Sequence, residues 1–388
     1  MKTIKHILLV ILLLSALYSN AQSKKELEPY IAFLEKEATM SAKDYVISLF
    51  EDKDIVILCE RHHQDITQYD LILDILQDPY FIDNVGVLFT EVGVRILNPE
   101  LNHFLQDADL PESEVEKKAL NFQRQCMFSV WEKSSFSYFI KGIRNINKTL
   151  KDNKKIEMYP TDVIYVEGET TEENVMDMIM TRMQYRDKLM GDFIIDKFNE
   201  LKKSNPKQKA LVIMNYRHAY KHVLPQSSDN TGIYLEKAYP GKVANVLINT
   251  YHTSKNTPLQ DGKWDAAFKA KGIEDAGFSF AGSPFGEDSF DHWTFPNDEI
   301  YKTMFDGFIF FRPISDFKLV NGLPGFMDDG FLEEAVLETE LYNKAFARIT
   351  KREAPPVDKE KLMKLNQTQV NTVPDLDKIG ESIDKWLK

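Results

Sequence analysis

Cysteine is scarce: Cys59 and Cys126 are the only two in 388 residues. That excludes a disulfide scaffold and a Cys-rich zinc site. There is no basic excess either, since 48 Lys and Arg stand against 60 Asp and Glu, a net charge of −12. A nucleic-acid partner, which needs a basic stripe, is therefore not expected. Beyond residue 22 no apolar run is long enough to span a membrane. No Gly-x-Ser-x-Gly elbow occurs, which argues against an ordinary serine esterase. Gly277 to Gly286 lacks the lysine and the strand–helix setting of a phosphate loop. Internal repeats and low-complexity blocks are absent.

One apolar stretch does stand out, at the start. Lys2 and Lys5 precede an apolar run from Ile7 to Leu17, and Ser19-Asn20-Ala21 supplies small residues where a signal peptidase cuts. Residues 1–22 are thus expected to be a cleaved signal peptide, with the protein secreted or periplasmic. In that oxidising setting Cys59 and Cys126 could pair, although Cys59 reads first as a small buried hydrophobe at a strand end.

Short apolar strands alternate with helical patterns along the chain. The run Ile55-Val56-Ile57-Leu58-Cys59 has no alternation, as expected of a strand covered on both faces of a parallel sheet. Further strands are predicted at 85–90, 156–159, 210–214, 243–249 and 308–311, with helices near 113–126, 132–151, 171–203 and 229–238. The expected fold is α/β: a mostly parallel central sheet flanked by helices, with a helical cap over the strand carboxyl ends, where open α/β sheets bind ligands. The cap is assigned to 98–151 and 171–203. Residues 23–351 form a single α/β domain with helical insertions in this reading. Residues 254–298 read as a long loop region of lid type, and 352–388 as a C-terminal tail that wraps the surface or moves.

The chemistry concentrates at strand ends. Glu60-Arg61-His62-His63 follows directly on the first strand, placing a carboxylate, a guanidinium and two imidazoles beside a helix start. Histidine titrates near neutrality, and a neighbouring carboxylate fixes its tautomer and raises its basicity. Two further strands end in the same way. One delivers Glu91 with Arg95 close behind, and another delivers Asn215, Arg217 and His218. Asp162 follows a fourth. Acid, base and guanidinium groups at one sheet edge suit hydrolysis, with His as base to a water and Arg61 or Arg217 stabilising an oxyanion.

These residues carry a resemblance. The strand followed by Cys59-Glu60-Arg61-His62-His63 resembles the Gly-Glu-x-x-His opening of the erythromycin esterase family. It also resembles the Gly-Glu-x-His opening of the related haem-binding lipoproteins of bacterial iron uptake. Weaker segments resemble the esterase-like branch: Thr90-Glu91 with Leu101 to Leu105, Trp131-Glu132 with Ile143 to Asn147, Ile156 to Asp162, Asn215 to Ala219, and Phe305 to Phe310. The chain departs from the pattern at Cys59, where the family has Gly, and at Asn215, where the esterases have a first histidine.

The resemblance implies that His63 is the general base, Glu60 its orienting carboxylate, Glu91 a second acidic group and His218 the far wall. His62 matches the shorter spacing, so the base is His63 or His62. His62, Arg61, Arg95, Arg217, Asn215 and Asp162 are the expected substrate contacts. The implied activity is hydrolysis of an ester or lactone with a large apolar part, without a metal or other cofactor. The alternatives are a haem- or divalent-metal-binding protein, using the His62-His63 pair, His218, Glu60 and Glu91, and a catalytically inactive binding module.

Three other patterns have two readings each. Met176, Met178, Met180 and Met183 with Tyr185 form either a haem or copper stripe or a buried helix face, the latter preferred. Phe278, Phe280, Phe285, Phe290, Trp293 and Phe295 either line an apolar cleft or pack a long loop. His252, just after a strand, is a loop histidine or part of the pocket wall.

Overall fold

The computed structural model describes residues 25–37, 40–125, 134–162, 171–293 and 295–388, and only the backbone of Arg182 and Met183. The expected signal peptide, Cys126 and Trp131-Glu132 lie outside the described residues.

Seven strands form one sheet: β1 (Ile55–Glu60), β2 (Val87–Val94), β3 (Glu157–Asp162), β4 (Ala210–Asn215), β5 (Val243–Ile248), β6 (Asp275–Ser279) and β7 (Gly307–Phe311). Their order is β3-β2-β4-β1-β5-β7-β6, parallel throughout except that β6 runs antiparallel to β7. Every residue of β1 and β2 is buried. The unalternating apolar sequence of β1 thus matches its central place. Val56 and Leu58 enter one core, while Ile55, Ile57 and Cys59 enter the other.

The helices divide between those two cores. Helices α1 (Ala42–Leu49), α2 (Thr67–Leu76), α3 (Asn98–Gln106), α4 (Glu112–Gln125) and α5 (Ser135–Thr149) share the first with Val56, Leu88 and Met158. Helix α6 (Val175–Ser204) belongs to both: Val175 and Ile179 pack in the first core, Ile194 and Phe198 in the second. At 1.5 Å per residue it is about 45 Å long. It must therefore cross the carboxyl edge of the sheet, and it forms the cap there. Helix α7 (Thr231–Ala238) lies against α6 and β5.

Residues 254–298 differ from the expected loop. They hold helix α8 (Lys263–Lys271) and strand β6. Strand β6 has no β-branched residue and follows from packing instead. The Tyr45 ring lies across Gly277 of β6 and Gly307 of β7, where any side chain would overlap it. Phe278, Phe280, Phe285 and Phe290 are buried around Trp264, Tyr301 and Phe308, which settles them as packing; Phe295 is exposed. In the methionine series, Met176 and Met178 rest partly against the first core, but Met180 and Tyr185 are exposed. Their exposure keeps Met180 and Tyr185 out of the buried helix face.

Beyond helix α9 (Asp329–Thr350), the tail is docked. Gln369–Asn371 pairs antiparallel with Leu319–Asn321, and helix α10 (Leu376–Leu387) packs on α8.

Candidate active site at the carboxyl edge

The end of β1 delivers Glu60, only 1% exposed, and the chain then turns so that His63 comes back over it. His63 Nδ1–H donates to Glu60 Oε2 at 2.7 Å. A carboxylate only accepts, so this contact fixes the proton on Nδ1 and leaves Nε2 as the basic nitrogen. The Tyr69 hydroxyl, one turn into α2, donates to Glu60 Oε1. Burial, then the Glu60 charge, pushes the Tyr69 phenol far above its ordinary value, so it stays a donor. The Ser135 hydroxyl donates to the His63 carbonyl at 2.7 Å and ties α5 to the turn.

Glu91 arrives from β2. Between Thr90, opposite Pro160, and Val94, opposite Asp162, the pairing with β3 slips. Bulges of this kind re-aim side chains. Glu91 Oε2 accepts the Asn215 N–H at 2.7 Å, across from Glu60, whose register partner is Asn215. Its Oε1 accepts from Arg186 Nη2 at 2.9 Å and lies 3.3 Å from His218 Nε2. Burial opposes its ionisation, but His218, Arg186 and His63 outweigh burial and hold the carboxyl well below the usual range.

Arg186 is the hub of this second group. From the middle of α6 its Nε and Nη2 donate to the two oxygens of Asp162 at 3.0 and 3.1 Å, a bidentate pair at the end of β3. Next to it Asp187 accepts from His218 Nδ1 at 2.8 Å and from the Thr231 N–H at 2.9 Å. Burial works against the His218 cation, yet Glu91 and Asp187 raise its pKa to about 9. A protonated ring has no lone pair for Arg186 Nη1, 2.9 Å from Nε2. Imidazolium and guanidinium instead share Glu91 Oε1.

The sequence-predicted residues therefore separate. Glu60, His63, Glu91, Asn215, Asp162 and His218 converge, with Asn215 and Asp162 holding Glu91 and Arg186 in place. Arg61 does not join them. Its guanidinium is fully buried on the β5–β7 side, donating to Asp65 Oδ2 at 2.9 Å, Asn249 Oδ1 at 2.6 Å and the Phe311 carbonyl. It also lies 3.8 Å from the Phe317 ring. His62 is half-buried, and its Nδ1 accepts from the Gln64 N–H at 3.3 Å. Arg95 lies over the Phe193 ring at 5.6 Å, and Arg217 is exposed beside Tyr216. Cys59 is buried, and burial pushes its thiol far above the ordinary range, which makes it inert.

His252 belongs to a neighbouring array. Its Nε2 lies 3.2 Å from Asp291 Oδ2, whose other oxygen accepts from the Tyr301 hydroxyl at 2.6 Å. Burial opposes, but those two partners bring Asp291 down to about 2. His292 stacks on Tyr216 at 3.9 Å, the residue after Asn215. Burial drives the His292 pKa down to about 3, so this imidazole is neutral.

Among the described residues, one nitrogen and two carboxylates come close enough to share a cation: His63, Glu60 and Glu91 offer atoms within 4.8 Å of one another. That donor set suits a divalent transition metal. The Arg186 charge on Glu91 acts against it. Haem iron would have to displace the partners that His218 holds at both ring nitrogens.

Sequence reasoning missed Tyr69, Arg186 and Asp187. A tyrosine on a buried helix face carries a hydroxyl that needs a partner, which was a usable signal for Tyr69. For Arg186 and Asp187 the signal was an adjacent opposite-charge pair midway along the helix assigned to the cap.

No family model matches this chain, and no curated protein matches it. Solved structures do. A protein of Bacillus cereus is 12% identical, covering 73% of this chain and 96% of its own, with a TM-score of 0.46. Haem-binding ChaN of Campylobacter jejuni is 12% identical over 71% of this chain and 93% of its own, TM-score 0.39. An erythromycin esterase in its open conformation is 12% identical over 69% and 92%, TM-score 0.44. At such identity the likeness is one of fold, and no activity passes from these proteins to this chain.

Proposed function

We propose that the chain is a hydrolase in which His63, oriented by Glu60, activates a water against an ester or lactone. The observation that carries this reading is the 2.7 Å contact that fixes the His63 tautomer, with Tyr69 holding the opposite oxygen of Glu60. His63 Nε2 takes a proton from water as the oxygen attacks the acyl carbon. The tetrahedral oxyanion then collapses, and the leaving alkoxide takes that proton back from His63. His62, Arg95 and Arg217 are proposed substrate contacts, and the half-buried rings of Tyr216 and Trp293 support an apolar portion of the substrate. The pattern of residues 1–22 supports export, which N-terminal sequencing of the isolated protein would test.

A second reading has support in the same place: Glu60, His63 and Glu91 bind a divalent metal. When bound, the metal would supply Lewis acidity and an activated water. One experiment separates the two. The purified protein, His63→Ala and Glu60→Gln are assayed on esters, lactones and peptides before and after chelation, with metal content measured on the same samples. General-base loss costs about 10²–10⁴-fold. Turnover that survives chelation and falls by that much in both variants supports the hydrolase. Undiminished turnover in the variants refutes it. Loss on chelation supports the metal reading, and no turnover on any substrate shifts weight to a binding module, with haem titration to follow.

A further inference from the structure

The docked tail is held more by polar contacts than by burial. Of residues 352–388 only Val373 and Ile379 are buried, in a small core with Tyr251, Ile314 and Phe317. A cavity of about 300 Å³ remains between α10 and α8. Segments with so few buried apolar contacts open at low cost while the rest of a fold stays closed.

Two of the places the tail holds adjoin the candidate site. The first is the turn that carries His63. The Val320 N–H donates to the Gln64 carbonyl at 2.8 Å, and the Ile66 N–H donates to the Lys318 carbonyl at 2.9 Å. Gln64 Nε2 also donates to Asn321 Oδ1 at 2.5 Å. Gln369–Asn371 pairs along the other edge of Leu319–Asn321. The tail is thus the outer strand of three, and the inner one begins beside His63.

The second place is a left-handed turn. Gln260, Asp261 and Gly262 have φ of 49°, 51° and 85° in succession. Side chains disfavour that conformation, so consecutive residues keep it only where their surroundings hold them, commonly at switch segments. Helix α10 does the holding. Ser382 Oγ donates to Asp261 Oδ1 at 2.7 Å, the Trp386 indole donates to the Asp261 carbonyl at 2.9 Å, and Lys385 pairs with Asp261 Oδ2. Asn256, also at positive φ, donates at 3.0 Å to Asp375, the residue before α10. On its inner side the turn gives the Gln260 N–H to Asp291 at 2.9 Å, the carboxylate beside His252.

We propose that the C-terminal tail is a latch on this edge of the sheet. Docked, it fixes the turn after His63 and the turn beside Asp291 together; when residues 369–388 lift off, both loosen with it as one unit. The latch goes beyond the hydrolase reading and does not depend on it.

Amide hydrogen exchange of the purified full chain is the test, read by mass spectrometry on peptides carrying Ile66, Val320 and Gln260. In the unaltered protein these should share the protection and urea dependence of residues 369–388, both below those of β1. Ile379→Ala removes buried tail contacts and should lower protection of the tail and of the three peptides by one common factor, at least about tenfold. Trp386→Phe keeps a ring but removes the donor to Asp261, and should lower the same set by about fivefold. Loss confined to residues 369–388, with the three peptides as protected as before, overturns the proposal. So does an unaltered protein in which the three carry the higher protection of β1. If Ile379→Ala does not fold, Trp386→Phe and the unaltered chain decide.

Discussion

Replacing Asp265 by Asn should change the pH dependence of stability while leaving the fold intact. Burial lifts the Asp265 carboxyl from 3.8 to about 7, with its own backbone N–H and Arg61 pulling it back. The other charged groups around it are Lys269, paired with Asp384, and the exposed Glu274. In the unfolded chain the group ionises at about 3.9. Between those values the folded protein holds a proton that the unfolded chain has released, so stability falls as pH rises. The favourable term is complete below the unfolded value and is lost once pH passes the folded one. A difference of roughly three in pKa corresponds to about 4 kcal/mol at most. Asparagine does not titrate, and the remaining acids titrate alike in both proteins, so the stability difference isolates Asp265. Urea unfolding at about pH 4, 6 and 8 measures it, and the variant should gain about 2–4 kcal/mol on the parent across that range. A difference flat to about 0.5 kcal/mol, or one moving the other way, would refute the argument that burial controls this carboxyl.

Three further outcomes are expected. Arg186→Met removes the donors to Glu91 and Asp162 and should cost about 3–5 kcal/mol in urea unfolding; a loss below about 1 kcal/mol would mean that His218 and solvent carry the carboxylates. Tyr69→Phe takes away the donor to Glu60 Oε1 and should cost about 1–2 kcal/mol of stability, together with reduced turnover on any ester the protein accepts. Unchanged kcat would remove Tyr69 from the site's support. Gly277→Ala sets a methyl against Tyr45 and should cost about 1–3 kcal/mol, seen as a lower Tm. An unchanged Tm would mean that Tyr45 does not lie across β6 and β7.

What the sequence determined by itself was whatever depends on neighbours along the chain. Strands such as β1 and β4 are legible because burial on both faces demands an unbroken apolar run. The Glu60–His63 pair is legible because the turn after β1 brings residues three apart together. Glu91, Asp162 and Asn215 were visible as polar ends of apolar runs. Arg61 shows the limit of adjacency: it follows Glu60 in sequence, yet Asp65, Asn249 and Phe317 draw its guanidinium to the other side of the strand. Strand β6 was invisible because its Asp-Ala-Gly-Phe-Ser sequence is selected by Tyr45 packing against Gly277 and Gly307, not by propensity. Arg186 lies 95 residues from Glu91 and reaches it only because the two ends of α6 are buried in opposite cores, which carries the middle of the helix over the sheet edge. Placement across that distance is decided by which apolar faces can be buried together, and that is a property of the packed molecule.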